Sequence, residues 1–289
     1  MLNCRKKTTG MKTINMLKNK TFLLAASLFL VATICNAINP TVAFKPGERI
    51  SYDLYYNWGI IWIHAGSANF AVYETTYHKE PSYQFSVSGN SAKSFDKFFL
   101  VRDSFVTIVN QKNFLPMYYR RIVREDSYWA KDEYFFTSID SNKTSVITDC
   151  KRRKGKRNVD TLCINPSVTD LVTAIYKARN TDMSKVKKND KIPFSIIFDD
   201  DDKPYNLWLS FLGREQVKLR DGEKFNCLKF KPLLIKGDVF KQEDAMTIWI
   251  SDDANKIPIM VETKIRVGSL KVILNNVSNP KYAVSSLIK

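Results

Sequence analysis

The chain has 289 residues, with 45 Lys and Arg against 29 Asp and Glu, a formal charge of +16, and 44% hydrophobic residues. So large an apolar fraction excludes a disordered tail, and ten Gly and ten Pro are too few for a fibrous or low-complexity chain. The basic surplus points to acidic partners, such as anionic lipid headgroups or polyanionic glycans, without selecting a fold.

At the N-terminus Lys12, Lys18 and Lys20 precede an uncharged apolar run from Phe22 to Ile34, which ends in Cys35-Asn36-Ala37. A basic start, an apolar run too short to span a bilayer and a small-x-small end make a secretory signal, with cleavage expected after Ala37. Ile34 stands where a lipidated cysteine needs a small neighbour, so simple export is favoured over lipid attachment at Cys35. Residues 38–289 are then expected to be one exported β-rich domain, periplasmic or associated with the outer membrane. No second apolar run is long enough for a transmembrane helix. Without residues 1–37 the charge falls to about +10, and outside the cytoplasm nucleic acid is not an expected partner.

From Gly47 to Tyr73 the sequence alternates with period two. Ile50, Tyr52, Leu54 and Tyr56 share one face; Ser51, Asp53 and Tyr55 share the other. Asn57-Trp58-Gly59 reads as a tight reversal, after which Ile60, Trp62 and His64 alternate with Ile61 and Ile63. Further strands are expected at Tyr83–Ser88, Phe98–Val109, Met117–Val123 and Glu125–Phe136. In the last of these, Tyr128 and Trp129 point to opposite faces. Lys151, Arg152, Arg153, Lys154, Lys156 and Arg157 crowd one segment that reads as a hairpin tip, either solvated or touching an anionic surface.

One helix is legible. Asn165-Pro166-Ser167-Val168-Thr169-Asp170 supplies a cap, a helix-starting proline and an early acid, and Leu171, Val172, Ile175 and Tyr176 follow at helical spacing, placing it at 167–179. It joins a strand group over 48–164 to one over 190–275, with strands at Ile192–Phe198, Tyr205–Phe211, Gln216–Leu219, Phe225–Leu233, Met246–Ile250 and Pro258–Val267. Gly213, Gly222 and Gly268 are read as turn residues. Long alternation with a single helix predicts an all-β, mainly antiparallel fold: a large curved sheet, half-barrel or barrel-like.

Chemistry is sparse. Beyond the leader the cysteines are Cys150, Cys163 and Cys227, an odd number; Cys150 and Cys163 flank the basic segment, where two strands of a hairpin can place them opposite each other for a disulfide. Asp199–Asp202 lacks the spacing of a calcium loop and reads as a solvated turn. The only histidines are His64 and His78. His64 lies near Ser67, but no Gly-x-Ser-x-Gly elbow, phosphate loop or His-Glu-x-x-His pair is present. No catalytic residue, metal ligand or cofactor is assigned. Trp58, Trp62, Trp129 and Trp208 are the candidates for lining an apolar ligand site, Trp208 because it faces away from Leu207, Leu209 and Phe211.

Several stretches together resemble a known family: Phe44-Lys45-Pro46-Gly47-Glu48 leading to Tyr52, Ala65-Gly66-Ser67-Ala68, the Ser167–Arg179 segment with Asp170, and Gly222-Glu223-Lys224-Phe225-Asn226-Cys227-Leu228. Trp249-Ile250-Ser251-Asp252-Asp253, Pro258 and Val267-Gly268-Ser269 complete the set. They are similar to the exported bacterial proteins of domain of unknown function 3108. The resemblance implies an envelope protein and carries no catalytic residues. Two functions are therefore weighed. The first is non-catalytic binding or carriage of an amphipathic or lipid-like ligand (or an anionic glycan), or assistance to other envelope proteins during assembly; the alternative is a periplasmic glycan or lipid hydrolase using scattered carboxylates.

Overall fold

The computed structural model describes residues 42–198, 203–234, 246–265 and 267–288. The expected leader (1–37) and the Asp199–Asp202 turn lie outside the described residues. Strands β1 (Arg49–Trp58), β2 (Ile61–Tyr77), β3 (Glu80–Ser91), β4 (Arg102–Asn110), β5 (Pro116–Glu125), β6 (Tyr128–Asp140), β7 (Lys143–Arg152) and β8 (Arg157–Ile164) pair in chain order. After helix α1 (Leu171–Arg179), a second meander runs through β9 (Lys191–Ile196), β10 (Tyr205–Lys218), β11 (Lys224–Leu234), β12 (Met246–Ser251), β13 (Pro258–Lys264) and β14 (Ser269–Ser278). The short β15 (Leu287–Ile288) adds to β11. Antiparallel pairing of β1 with β14, from Arg49 opposite Ser278 to Asn57 opposite Ser269, welds both meanders into one sheet that is not closed.

The alternation seen in the sequence becomes burial. On β4 Asp103, Phe105, Thr107 and Val109 point inward, and on β5 Tyr119, Arg121, Val123 and Glu125 do so. Register shifts at Ser51/Tyr52, Leu54/Tyr55, Ile108/Val109, Phe211/Gly213 and Trp249/Ile250 bend the strands, as bulges do. Gly213, at φ +129°, is therefore a bulge residue inside the single strand β10, not a turn between two strands. Strand β14, with the turn at Gly268 before it, lies beyond the strand expected to end at Val267.

The sheet wraps α1. Eight of its nine residues are buried, all except Lys177, so it is an interior helix apolar on nearly every side. Phe44, fully buried ahead of β1, meets Phe85 at 5.1 Å, Tyr83 at 5.3 Å and Tyr176 at 5.3 Å, while Phe85 and Tyr176 stack at 3.8 Å. The helix begins later than the sequence predicts. Thr169 is held extended against β9 (its N–H donates to Ser195 O at 3.0 Å, and Ile197 N–H donates to Thr169 O at 2.9 Å), so no helical turn forms before Asp170. Asp170 is the cap, accepting from Thr173 N–H at 2.9 Å and bonding Thr107 at 3.0 Å; Asn165 instead closes a turn with Ser167 N–H.

The expected disulfide between Cys150 and Cys163 is not formed. Cys150 is buried and outside any disulfide, opposite Asn158, whereas Cys163 is opposite Ser145 and exposed, so the two side chains leave different faces. Among the described residues no helix is long and apolar enough to cross a membrane.

Candidate functional site

The concave face is where a carrier would hold its ligand, and α1 occupies it. Between Ile175 and Arg179 of the helix and Phe230 and Ile250 of the sheet lies a cavity of about 10 Å³, space for one water. At the helix end the Arg179 guanidinium donates to both oxygens of Glu48 (2.6 and 2.9 Å), to Asn255 O at 3.0 Å and to Ala43 O at 3.2 Å, all buried. This ion pair fastens α1 to the segment before β1.

The outside is less complete at one place. The β1–β2 hairpin projects apolar side chains on both faces of its tip: Trp58 is 57% exposed, Ile60 97%, Ile61 46% and Ile63 43%. Trp58 pairs with Ile61 across a two-residue loop whose first member, Gly59, has φ +57°, the place a type II′ turn reserves for glycine. Asn57 Nδ2 donates to the carbonyls of Gly59 (3.1 Å) and Ile61 (3.2 Å), satisfying backbone oxygens of the turn. The neighbouring β13–β14 turn stands beside it. Tyr56 Oη donates to Val267 O at 3.2 Å, and Gly268, at φ +78°, packs so close that a Cβ would lie 2.2 Å from Asn57 O. Val267 adds a further exposed apolar side chain.

Behind this tip the outer face carries rings and cations. Tyr55 meets Trp62 edge-on at 5.8 Å, and the Arg220 guanidinium lies over Tyr55 (4.9 Å) and Trp62 (5.7 Å), with Lys271 Nζ 5.1 Å from the Trp62 ring. Lys271 also pairs with Glu262 at 3.3 Å, and Asp53 engages His64 (3.5 Å) and Asn275 (2.7 Å). Among the described residues Ser67 makes no hydrogen bond to His64, so no nucleophile joins that imidazole.

Of the four candidate tryptophans, only Trp58 and Trp62 share this region. Trp129 is on β6 and Trp208 on β10, several strands away in opposite directions, and both are half-buried. The basic run is partly neutralised by acids of the adjoining strands, which the local sequence did not reveal. Arg152 bonds Asp132, Arg157 grips Asp149 through two contacts of 2.7 Å, and Lys151 lies 3.9 Å from the same acid. Among the described residues Arg153, Lys154 and Lys156 retain no carboxylate partner.

Two buried carboxyls escaped the sequence reading. Glu125 pairs with Val101, two residues before Asp103, so the two are diagonal neighbours on the inner face. Asp103 Oδ1 accepts from Arg124 N–H at 3.1 Å, but Asp103 Oδ2 and Glu125 Oε1 find no donor. Burial pushes Asp103 up to about 7 and, with the nearby Asp103 charge, Glu125 up to about 8. Close by, Arg121 bonds Asp132 at 2.7 Å under the Phe198 ring. The signal was available: these charges sit at inward positions of strands whose other inward residues are mostly apolar. Among the described residues no group of three or more His, Cys, Asp or Glu gathers to hold a metal.

No curated protein matches the chain. A solved structure similar in fold is the beta-barrel-like protein of domain of unknown function DUF1849 from Brucella abortus, at TM-score 0.52 and 13% identity, covering 82% of this chain and 99% of that one. At that identity the likeness speaks for the fold alone. Residues 51–275 match the family described as "Protein of unknown function (DUF3108)", and the chain belongs to that family.

Proposed function

We propose that this is an exported envelope protein that works without catalysis, engaging an amphipathic, lipid-like partner with the outside of its sheet instead of carrying one within it. The observation that carries this reading is the contrast at the hairpin: Ile60 is 97% exposed beside Trp58 and Ile61, while the interior is filled by α1. An apolar tip held rigid by strand pairing meets an amphipath at little entropic cost.

The alternative, hydrolysis by a carboxylate pair, gains little from the geometry. Acid–base cleavage needs one protonated and one ionised carboxyl facing a substrate, whereas Asp103 and Glu125 are both pushed toward the neutral form and both 4% exposed.

The test compares the purified protein with a Trp58→Ser/Ile60→Ser/Ile61→Ser variant in cloud-point phase separation with a nonionic detergent. The wild type is expected to enter the detergent phase and the variant to stay in water. Equal partitioning, or a co-purified amphiphile held at wild-type level by the variant, would place the site elsewhere and overturn the reading.

A further inference from the structure

The partner class can be narrowed by the charges around the tip. We infer that the β1–β2 tip, with the adjoining β13–β14 turn, inserts into the surface of an anionic lipid bilayer; this rests on the reading that the exterior hairpin is the site.

The tip meets the physical requirements of an interfacial anchor. Trp58 supplies an aromatic ring with a polar edge, the kind of side chain that settles at headgroup depth, and Ile60, Ile61 and Val267 supply aliphatic groups that reach deeper. A backbone entering lipid must have its polar groups satisfied, and here β-pairing runs to Trp58 and Ile61 while Asn57 covers two turn carbonyls. The two turns are tied through Tyr56 and Val267, so they present one apolar end.

The surrounding charge leans basic. From Leu54 to Tyr73, and again after Glu262, the sequence holds no acid. Asp53 and Glu262 are engaged by His64, Asn275 and Lys271, and the β10–β11 turn that brings Arg220 here carries Asp221 and Glu223 among Lys218, Arg220 and Lys224. Arg220 and Lys264 meet no carboxylate among the described residues; Arg220 rests on ring faces, and Lys264 is level with Asn57 through Ser269. Cations set back from an apolar apex suit phosphate headgroups above acyl chains. A protein groove would fit the apolar side chains equally, but the surplus of cations over acids around them favours an anionic surface.

The experiment is vesicle co-sedimentation with phosphatidylglycerol–phosphatidylethanolamine and, separately, with phosphatidylcholine. Residues before Val42 are common to every variant, so differences between variants read the tip. Wild type is expected to bind the phosphatidylglycerol vesicles, less so as salt rises, and the triple serine variant at least about tenfold more weakly. Arg220→Gln/Lys264→Gln should lower binding several-fold on anionic vesicles only. Ile139→Ser, an exposed residue where β6 leaves for β7, should bind as wild type. Trp58→Phe keeps an aromatic ring in place, and its loss of quenching by brominated lipid guards against a folding artefact in the serine variant. Vesicle binding unchanged in the triple variant, or equal and salt-independent on both lipids, overturns the inference. Failure to bind any vesicle overturns it too, and if tip-dependent detergent partitioning persists, the exterior-site reading stands and the partner is a protein. Loss of both removes the reading as well.

Discussion

The interior holds two buried charge clusters of opposite design. Arg179 and Glu48 are 4% and 1% exposed, and both carboxylate oxygens and all three guanidinium nitrogens are bonded. Asp103 and Glu125 are equally buried, yet each leaves one oxygen without a donor. The first cluster is a charged clamp; in the second, burial pushes both carboxyls toward the neutral form. Burial alone therefore does not set the state of an ionisable group; the donors around it do.

The largest effect should come from breaking the clamp. Glu48→Gln strands a buried guanidinium and is expected to destabilise by about 3–5 kcal/mol in denaturant unfolding, whereas Glu48→Leu/Arg179→Met, which removes both charges, should recover much of that loss. If the single and double variants unfold alike, the pair is not the clamp described.

The second cluster is tested through its response to pH. Both folded-state values lie above the ordinary ones, so between about pH 4 and 8 the folded chain holds protons that the unfolded chain has released. Stability from this pair is present at low pH and falls as pH rises, by at most about 1.4 kcal/mol per pH unit for each carboxyl, levelling above 8. Asp103→Asn keeps the acceptor for Arg124 N–H and should flatten that decline, leaving the variant more stable than wild type above pH 8. Parallel pH profiles for the two proteins would mean that Asp103 is ionised throughout. The smallest effect is expected at the tip: Ile60→Ser, 97% exposed in the wild type, should change unfolding stability by no more than about 0.5 kcal/mol.

Much of the fold was legible because period-two alternation survives in the structure almost strand by strand, from Ile50 and Tyr52 to Leu207 and Leu209. The clear helix was legible too, but its first residue was not, since the pairing of Thr169 with a strand beginning at Lys191 is invisible locally. Filling of the concavity was missed for a related reason. The apolar stripe of Leu171, Val172, Ile175 and Tyr176 suits a helix lying on a sheet as well as one enclosed by it. At the site, Trp58 and Trp62 were found by their aromatic character, but Arg220 and Lys271 reach those rings through tertiary contacts that no local spacing encodes. Asp132 and Asp149 likewise neutralise half of a basic run that looked bare as text.

The pairing of β1 with β14 has a consequence for how the molecule is made. Residues near 50 must wait for residues near 275 before that ladder can form, while β1 to β8 close through neighbouring hairpins as they emerge. Until the last segment arrives, the nascent chain carries an open strand edge beside its projecting isoleucines, which is the condition for sticking to other copies. Truncation ahead of Ser269 should therefore yield aggregates and not a smaller soluble protein, and a holding chaperone is of greatest use in that interval.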